Sequence, residues 1–492
     1  MSVDRTKVDA ILKSWNPRAL SANQELLDKV SDLYSKSRDL QNSNGLANAI
    51  LNKKVDKVIG QGLKLMPQID YRALGIDVKE AKAWNEKAES LWNLYANSKN
   101  YDLAAKNNFH ESSRLALRTV YMNGDVLALV HWVPNGKGMF KTKIQLIECD
   151  RLITPNKLKN KKNIRAGIEY NKHNEPVAYY IAKDYPDDNL LNTNVECVRV
   201  PAKTKWGRAR VIHVFKQDRV DQSRGKPIFT PILTLFKKLD LYEEAELSAA
   251  VVSAMVALIV ESPPKDDKEL LTQFGLGDDD QEVLEEIRHG WNRGMQPGNI
   301  VHLFNGEKAH TFAPNRPNSS FSAFVENITR TVGIGSAGLS YETIMSDFSK
   351  CNYSSARAAL QEDWENIMVS RSWFVSEWVD IHYELFIEEC INTGRLEAPD
   401  FYENKEAYLK YSVQGPAKGV LDPVKETKAS VMLVEAGLSS RTHEAAKQGI
   451  VWDDNADQLE REQGIIETKK LKLASNVQLV EINENDKEDS DE

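Results

Sequence analysis

The stretch that decides the fold is Asp347–Trp378, "DFSKCNYSSARAALQEDWENIMVSRSWFVSEW". It opens with small polar residues, one cysteine and one tyrosine, and continues as a helical pattern rich in tryptophan. No proline or glycine interrupts the 38 residues from Ser354 to Ile391, which predicts a helix about 57 Å long. Its apolar face recurs at intervals of three and four residues, and comprises Leu360, Trp364, Ile367, Phe374, Trp378, Ile381 and Leu385, with Arg371 among them.

The polar start of this stretch has two interpretations, an active site or a shaped loop that leads into a helix. Asn352 or Ser354 would cap the helix, because both side chains accept hydrogen bonds from first-turn amides. Cys351 has no local histidine to activate it as a nucleophile. We therefore predict that Cys351 is a buried or interface thiol.

Length and composition describe a protein with sizeable cores. A chain of 492 residues can hold two to four domains, and 41% hydrophobic residues supply their interiors. The start of the chain lacks an apolar signal region. The longest apolar stretch, 247–260, is shorter than the roughly 20 residues that a membrane span needs. The four cysteines form no CxxC pair, so we expect reduced thiols and neither a zinc site nor a disulfide framework.

The charge of the chain is concentrated at its end. The net charge is -8, and residues 481–492 contain seven acids and one lysine, which contribute -6 of it. This tail predicts a solvated, disordered segment. The rest of the chain is nearly neutral, which argues against tight binding of DNA through many phosphate contacts. The basic clusters near 157–165 and 203–210 are interpreted first as solvated surface, with a capsid, scaffold or DNA contact as the alternative.

The elements suggest an α+β organisation. Helical spacing dominates the first hundred residues, for example over Ala81–Tyr95. From Val120 to Phe215 the texture changes to short strands separated by turn residues, which predicts an antiparallel or mixed sheet with helices on one side.

The second half of the chain is mainly helical in pattern. A run from Pro227 to Val260 leads into an acidic excursion, in which residues 261–286 hold ten acids and two lysines. Helix resumes at Phe321–Val332 and is expected to break at the following glycines. Asp422-Pro423 signals another helix start, Gly437 and Gly449 signal helix ends, and a charged helix is predicted over Asn455–Ala474.

The sequence contains no enzyme motif in the structural context that its chemistry requires. Gly333-Ile-Gly335-Ser-Ala-Gly338 has the spacing of a dinucleotide-binding loop, but a helical pattern precedes it where that chemistry needs a strand. No Walker A motif, nucleophile elbow or zinc-protease HExxH occurs. The sequence therefore predicts no enzyme activity, no metal and no cofactor.

Two adjoining stretches resemble a known family. "GLSYETIMSDFSKCNYSSARAALQEDWENIM" and, just before it, "GNIVHLFNGEKAHTFAPNRPNSSFSAFVENITRTVG" look like the lambda-type portal proteins of tailed bacteriophages. "KETKASVMLVEAGLSSRTHEAAKQG" is also similar to the C-terminal part of that family. Tyr341-Glu342 and the run Asn352–Arg357 are the most specific pieces. The resemblance spans about Asp221 to Glu462, and the glycine segment at 333–338 departs from the smoother family pattern.

The resemblance implies a portal fold that assembles into a closed ring, typically of twelve subunits. The implied division is an α+β wing (1–226), a first stem helix (227–260), a β-containing clip (261–319), a second stem helix (320–335), a tunnel loop (336–353), a long wing helix with the following segment (354–421), a helical crown (422–475) and an acidic disordered tail (476–492).

The implied function is a channel at the unique capsid vertex. Double-stranded DNA would be packaged through it by a terminase motor, ejected through it later, and head–tail connectors would dock on it. The implied partners are the terminase large subunit, major capsid and scaffold proteins, connector proteins and DNA bound without sequence specificity. The implied location is the virion, after assembly in the host cytoplasm and without a membrane.

The resemblance also assigns residues. The DNA-facing tunnel loop would include Asp347, Lys350, Asn352, Tyr353 and Arg357. Ser354, Trp364, Phe374 and Trp378 would anchor the long helix. For Lys350 and Arg357, an ordinary salt bridge or helix-start contact is the competing interpretation.

Two other functions remain open at this point. A DNA-processing packaging enzyme, either a nuclease or an ATPase, is disfavoured by the missing Walker A motif. A cytoplasmic helical interaction scaffold is suggested by the long helix alone. A closed ring with a central hole, seen in electron micrographs, would distinguish the portal from the scaffold.

Overall fold

The structure, a computed structural model, describes residues 16–136, 138–186, 188, 195–255, 259–261, 275, 308–310, 321–419 and 422–469. Its α-helices are α1 (Ala22–Leu26), α2 (Val30–Ser43), α3 (Gly45–Val58), α4 (Tyr71–Leu74), α5 (Val78–Ala96), α6 (Phe109–Asn123), α7 (Leu233–Met255), α8 (Phe321–Ser336), α9 (Tyr341–Met345), α10 (Tyr353–Phe374), α11 (Asp380–Asn392), α12 (Lys405–Tyr408), α13 (Pro423–Glu435), α14 (Arg441–Lys447) and α15 (Trp452–Lys469). Its strands are β1 (Lys64–Pro67), β2 (Asp125–Trp132), β3 (Thr142–Ile147), β4 (Ile164–Arg165), β5 (Ile168–Tyr170), β6 (Pro176–Ala182), β7 (Cys197–Pro201), β8 (Val211–Phe215), β9 (Ile259–Glu261), β10 (Lys308–His310) and β11 (Tyr411–Gln414). Among the described residues, no helix combines the length and the apolar character that a membrane crossing requires.

The chain folds as two compact units. The first contains the described residues up to Val58 and those from Ser90 to Pro399, and the second contains Ile59–Glu89 and the described residues from Asp400 onward. The division of the sequence into consecutive segments did not anticipate that residues 59–89 group with the C-terminal helices. Local patterns carry no information about such a pairing, because the two parts are more than 300 residues apart in the chain.

The strand-rich part of the first unit forms two antiparallel sheets, not the single sheet with helices on one side that the sequence suggested. One has the order β3-β2-β8 and the other the order β4-β5-β6-β7. Buried side chains from both sheets and from α2 form one hydrophobic core, and they are Tyr34, Leu127, Ile147, Cys149, Leu152, Ile168, Tyr179, Ile181, Ala202 and Val211. β2 is buried over residues 125–128 and β6 over residues 178–182, so both faces of these strands are covered there.

The long helix predicted from Ser354 to Ile391 is present, with one irregularity. α10 and α11 are joined by a π-helical turn at Val375–Val379. A π-turn adds one residue to the helical repeat and shifts the faces on either side of it. Here the turn contains Trp378, whose indole N–H donates to the Ser113 hydroxyl at 2.9 Å.

An aromatic core surrounds the C-terminal half of this helix. Trp92 meets Phe109, Tyr383 and Phe386 edge-on, with ring centroids 5.0, 5.8 and 5.2 Å apart. All four side chains are fully buried. Edge-to-face pairs of this kind contribute about 0.5 to 1.5 kcal/mol each beyond the area they bury. This core therefore holds α5, α6 and α11 together.

The run that was predicted to be helical over Pro227–Val260 is helical over a shorter range. A 3₁₀ turn at Thr230–Ile232 precedes α7, and residues 259–261 form a strand that pairs with β10. Pro227 and Pro231 explain the late start, because proline is tolerated in a first turn but not within a helix. Tyr242 of α7 packs against Phe321 and Phe324 of α8, with centroids 5.5 and 5.0 Å apart. Most of the acidic excursion (261–319) and the acidic tail (476–492) lie outside the described residues.

The second unit is built on a two-stranded antiparallel sheet and short helices. β1 pairs with β11, with Leu65 opposite Val413. α13 begins as the sequence predicted, with the Asp422 side chain accepting from the Lys425 amide at 3.1 Å and Pro423 in the first turn. Gly437 and Gly449 follow α13 and α14 with positive φ angles of 69° and 78°. The last helix, α15, starts at Trp452, three residues before the predicted start.

Candidate functional site: the loop between α8 and α10

The candidate site is the segment Ala337–Asn352, which connects two long helices and contains the short helix α9. The chain leaves α8 at Ser336, and Gly338 adopts a left-handed conformation with φ 61°. α9 then begins with Ser340 as its N-cap, and Ser346 ends it with φ 54°. The remaining residues, from Asp347 to Asn352, lead into α10. We call Ala337–Asn352 the connecting loop.

Gly333 allows the connecting loop to fold back on α8. A Cβ at this position would lie 2.2 Å from Ile344 Cδ1 and 2.9 Å from the Leu339 carbonyl oxygen. The glycine is therefore required for close packing. Contrary to the sequence interpretation, α8 does not break at Gly333 but continues through Gly335 to Ser336. A helix before and at these glycines is incompatible with a dinucleotide-binding loop, which needs a preceding strand.

Asp363 of α10 fixes the start of α9. Its carboxylate accepts from the Ser340 amide at 2.8 Å and from the Ser340 hydroxyl at 2.7 Å. The Ser340 hydroxyl in turn accepts from the Thr343 amide at 3.3 Å. Asp363 is buried, so this charge is stabilised by two hydrogen bonds. The long helix therefore holds one end of the connecting loop.

Lys53 of α3 holds the other end of α9. Its ammonium donates to the Thr343 carbonyl oxygen at 2.9 Å and also to the Ser346 hydroxyl. The carbonyls at a helix C-terminus lack intrahelical partners, so a lysine there satisfies one and interacts favourably with the helix dipole.

A chain of alternating charges connects the loop to α8. Lys350 pairs with Glu326 at 2.5 Å, and Glu326 also pairs with Arg330 at 3.0 Å. Arg330 reaches Glu342 of α9 at 3.2 Å. We call these four residues the loop ion-pair chain. The hydrogen bonds from Lys350 and Arg330 lower the pKa of Glu326, and the pairing with Glu326 raises the pKa of Lys350.

Cys351 lies beside Glu342 of this chain and shows no sign of activation. Its thiol lies 3.5 Å from Glu342 Oε1. Burial and the hydrogen bond to Glu342 raise the pKa of the Cys351 thiol. A nucleophilic cysteine needs a lowered pKa, so the environment favours the protonated thiol. Cys351 is only partly buried, so of the predicted buried or interface thiol the interface role stays a prediction.

The structure places the predicted loop residues in different environments. Asp347 accepts from the amide and the hydroxyl of Ser349, at 3.0 and 2.6 Å, which closes a turn. Lys350 is in the ion pair with Glu326, which is the competing interpretation that the sequence left open. Asn352 and Tyr353 are exposed, and Arg357 is exposed on the second turn of α10. Within the described residues, Arg357 makes no hydrogen bond or ion pair.

The cap of the long helix is Asn352 and not Ser354. The Asn352 side-chain oxygen accepts from the Ser355 amide at 2.8 Å. Ser354 lies inside the first turn and is exposed. Of the two candidates that the sequence offered, asparagine satisfies the orphan amide, and Ser354 has no anchoring role in this geometry.

The other predicted anchors are arranged along the helix in order of increasing burial. Trp364 is half-buried, with the Arg371 guanidinium 5.3 Å from its ring centre. Phe374 and Trp378 are fully buried and stack at 6.1 Å. The helix is thus exposed near the connecting loop and buried in the aromatic core at its other end.

Arg371 has a role that the helical pattern did not reveal. Its guanidinium donates to the carbonyl oxygens of Lys57 and Val58, both at 2.9 Å, at the C-terminus of α3. Burial lowers its pKa to about 10, so it stays charged at neutral pH. An arginine on an otherwise apolar face is the signal that could have identified this capping contact.

A buried polar cluster lies away from the loop. Asp125 accepts from Tyr34 at 2.7 Å, lies 3.2 Å from His213 Nε2, and pairs with Arg224. Burial alone would raise the pKa of Asp125, but the charges of Arg224 and His213 outweigh it and hold that pKa below its usual range.

Asp125, His213 and the Cys149 thiol lie close enough together to be tested as metal ligands. These three residues do not fit a cation, because the Asp125 carboxylate already forms an ion pair with the positively charged Arg224 guanidinium. Burial also raises the pKa of the Cys149 thiol, whereas a metal-bound cysteine is a thiolate. Arg224 donates in addition to the Cys149 carbonyl oxygen at 2.8 Å. The cluster is therefore a structural network, which we call the buried Arg224 network.

Fold and site together define a mixed α+β chain in which two long helices support a braced connecting loop. The profile of the family "Phage portal protein, lambda family" matches residues 9–371. The portal protein of Escherichia phage N15 is 28% identical over 457 residues, covering 89% of this chain and 85% of that protein. Portal protein B of Escherichia phage lambda is 27% identical over 457 residues, covering 89% and 84%.

The chain therefore belongs to the lambda family of phage portal proteins, and its function is that of a portal protein. The family resemblance seen in the sequence is confirmed, and the match begins at residue 9, well before Asp221, where the resemblance was placed to begin. Among solved structures, the neck of an empty GTA particle computed with C6 symmetry has a TM-score of 0.48 at 12% identity, covering 89% of this chain and 95% of that chain. Similarity at that level adds nothing to the family assignment.

Proposed function

We propose that copies of this chain form a closed ring around a channel at one capsid vertex, through which double-stranded DNA enters during packaging and leaves during ejection. Membership of the portal family is the observation that carries this proposal. In this proposal α7 and α8 are the stem helices, α10 and α11 form the wing helix, and the described C-terminal helices from α13 onward belong to the crown. The role is structural, and the work of DNA movement belongs to a separate terminase ATPase.

The connecting loop is the proposed DNA-facing element. Its polar surface offers Asp347 and Asn352, with Tyr353 and Arg357 nearby on α10, while Lys350 is already neutralised by Glu326. A surface with few unpaired cations suits a channel in which DNA slides, because each phosphate contact adds affinity that must be broken at every step. The loop is supported from α3, α8 and α10, so a force on it would be transmitted to the long helix.

The remaining partners follow from the same proposal. Terminase and head–tail connectors would dock on the acidic excursion at 261–319, and capsid and scaffold proteins would contact the wing. The ring would be incorporated in the virion after assembly in the host cytoplasm. Cyclic rings use head-to-tail contacts between unlike surfaces, so one face of each subunit must complement another.

Electron microscopy of the purified full-length chain tests the ring. We expect closed rings with a central hole in negative stain. A persistent monomer at high concentration, measured by analytical ultracentrifugation, would contradict the proposal. Robust ATPase or nuclease turnover by the purified chain would instead favour a packaging enzyme.

A packaging assay with variants tests the loop. We expect Arg357→Gln to change the amount of DNA packaged while rings still form, because Arg357 has no partner among the described residues. Arg114→Gln is the control, since the half-buried Arg114 is paired, with Asp56 of α3 at 2.6 Å. Equal packaging by both variants and the wild type would remove Arg357 from the proposed DNA path.

A further inference from the structure

A cleft in the first unit contains a buried lysine that has no partner among the described residues. The cleft has a volume of about 360 Å³ and lies between the α3 lysine Lys54, the segment after β8, and the end of α8. Lys54 is only 4% exposed, which is rare for a lysine without an ion pair. Among the described residues, its ammonium has no hydrogen bond and no salt bridge.

The nearest charges do not compensate Lys54. Asp363 attracts it at long range, but both oxygens of that carboxylate already accept hydrogen bonds from Ser340. Lys216, a second lysine of the cleft, repels it. Burial, reinforced by Lys216, lowers the pKa of Lys54 to about 8, so the side chain is still mostly protonated at neutral pH.

The lining of the cleft is cationic. Lys54, Lys216 and Lys226 line it together with one acid, Asp218, which pairs with Lys226 at 3.2 Å. Three positive charges and one negative charge leave a net charge of +2. Lys216 has no ion-pair partner in the part of the chain that the structure describes. Two lysines without an ion pair among the described residues, the buried Lys54 and the exposed Lys216, therefore line the same cleft.

The cleft also provides neutral polar groups. Asn366 and Ser370, on consecutive turns of α10, line the wall opposite α3, with Trp373 one turn further along. The Ser370 hydroxyl already donates to the Asn366 carbonyl oxygen at 2.8 Å, so the Asn366 side-chain amide is the neutral donor available to an oxyanion, while lysine binds phosphate as a point charge. A buried charge without a counterion is costly, and an anion placed between Lys54 and Lys216 would remove both the desolvation penalty and the repulsion.

We infer that this cleft binds a phosphate group, with Lys54 and Lys216 as the charged ligands. The group could belong to a free phosphate ion or to the backbone of DNA, and the chemistry of recognition is the same. The inference goes beyond the proposed function and does not rest on it, because it needs neither a ring nor a channel. The cleft adjoins the connecting loop, because Ala337 and Gly338 at the start of that loop also line the cleft, but its charged ligands, Lys54 and Lys216, lie outside the loop.

Calorimetric titration of the full-length chain with inorganic phosphate tests the inference, at constant ionic strength maintained with chloride. We expect saturable binding to the wild type, and binding that is about ten- to a hundredfold weaker in Lys54→Met and in Lys216→Met, the range expected for losing one charged hydrogen bond. Lys57→Met is the matched control on α3, because Lys57 does not line the cleft, and it should bind as the wild type does.

Thermal unfolding is a second measurement of phosphate binding, and it also shows whether a variant is still folded. Methionine fills the volume of Lys54 without its charge, so the variant should unfold at the same or a higher temperature without phosphate. Phosphate should raise the midpoint of the wild type and of Lys57→Met but not of Lys54→Met. No phosphate effect on the wild type, or an equal effect on all three proteins, would overturn the inference.

Competition between a DNA duplex and inorganic phosphate distinguishes the DNA backbone from a free phosphate ion as the ligand. If a short DNA duplex displaces inorganic phosphate and binds more weakly to Lys54→Met, the backbone is the ligand. If DNA does not compete while phosphate still binds through Lys54, the cleft takes a small phosphate ion. Either result supports the phosphate site, and binding of neither ligand refutes it.

Discussion

Two charged clusters in the first unit differ mainly in their exposure to solvent. In the buried Arg224 network, the Arg224 and Asp125 side chains are 3% and 0% exposed. In the loop ion-pair chain, Lys350 and Arg330 are 63% and 44% exposed. The first cluster joins elements that are distant in the sequence, whereas the second joins α8 to the loop that follows it, and solvent screens only the second.

The difference indicates which part of the molecule can move. Breaking a buried ion pair by removing one partner costs about 3 to 5 kcal/mol, because the other charge stays buried. An exposed pair contributes about 0 to 1 kcal/mol. The buried Arg224 network therefore fixes β2 and β8 against α2, whereas the part of the connecting loop from Asp347 to Asn352 is linked to α8 by an exposed ion pair that can be exchanged at little cost. A portal needs this combination if its loop contacts moving DNA while its wing stays rigid.

The largest expected effect comes from Arg224→Met. We expect this variant to lose about 3 to 5 kcal/mol of unfolding free energy, since it leaves Asp125 buried without its main counterion. Urea unfolding measures the loss through the midpoint and slope. Arg219→Met is the matched control five residues away, because Arg219 pairs with Glu25 on the surface at 2.5 Å. A loss below 1 kcal/mol for both would remove the contrast between the clusters.

A buried charge without a partner should show itself in the pH dependence of stability. The pKa of Lys54 is about 8 in the folded chain and about 10.4 when unfolded. Because the folded pKa is the lower one, the unfolded state binds more protons between these values, and stability rises with pH in that window. We expect a gain of about 3 kcal/mol between pH 8 and 10.5, measured as the difference between the wild type and Lys54→Met. A difference that is flat with pH would show that the Lys54 ammonium is solvated or paired.

The cap of the long helix gives a smaller effect. We expect Asn352→Ala to cost about 1 kcal/mol, because the Ser355 amide loses its acceptor, and Asn352→Asp to cost much less because aspartate also caps. Ser354→Pro should cost less than Asn352→Ala, since the amides of the first turn have no intrahelical partner to lose. Thermal unfolding ranks the three variants, and a larger loss for Ser354→Pro would restore Ser354 as the critical residue.

The elements with strong local signals were predictable from the sequence. The long helix follows from 38 residues without proline or glycine, and β6 was predicted with the bounds that the structure has. The start of α13 at Asp422-Pro423 was also predictable, because capping chemistry involves residues only three apart. In the candidate site, the sequence narrowed the N-cap of the long helix to Asn352 or Ser354. For Lys350, an ion pair was one of two interpretations, and a DNA-facing position was the other.

What the sequence could not predict depends on contacts between distant residues. The pairing of β1 with β11 joins positions about 350 residues apart, and no local pattern specifies it. Gly333 was interpreted as a helix breaker because isolated glycines destabilise helices, whereas here close packing against Ile344 determines its role. The buried Arg224 network was missed because its charged residues each resemble ordinary surface positions until the fold brings them together.

The smallest effect on stability is expected from Lys350→Met, and it is the most informative about the loop. The lysine is exposed, so we expect a loss below about 1 kcal/mol of unfolding free energy. Hydrogen exchange of the amides between Ser346 and Asn352 should nevertheless be about two- to fivefold faster, because the link to Glu326 is part of what holds this segment closed. Mass spectrometry of deuterium uptake measures this, with Lys36→Met as the control, since Lys36 pairs with Asp32 on the surface of α2.

Acidification should produce the same loosening in the wild type. Because the pKa of Glu326 is lowered in the folded chain, the stabilisation from its ion pairs is fully present at pH values above the ordinary pKa of glutamate. This stabilisation is lost as the pH falls through the lowered pKa of the folded chain. Lys350→Met should abolish much of that pH effect in the connecting loop, while Lys36→Met should retain it. If Lys350→Met leaves exchange in the loop unchanged, the packing at Gly333 and the hydrogen bonds to Asp363 alone hold the segment, and the ion-pair chain has no part in its opening.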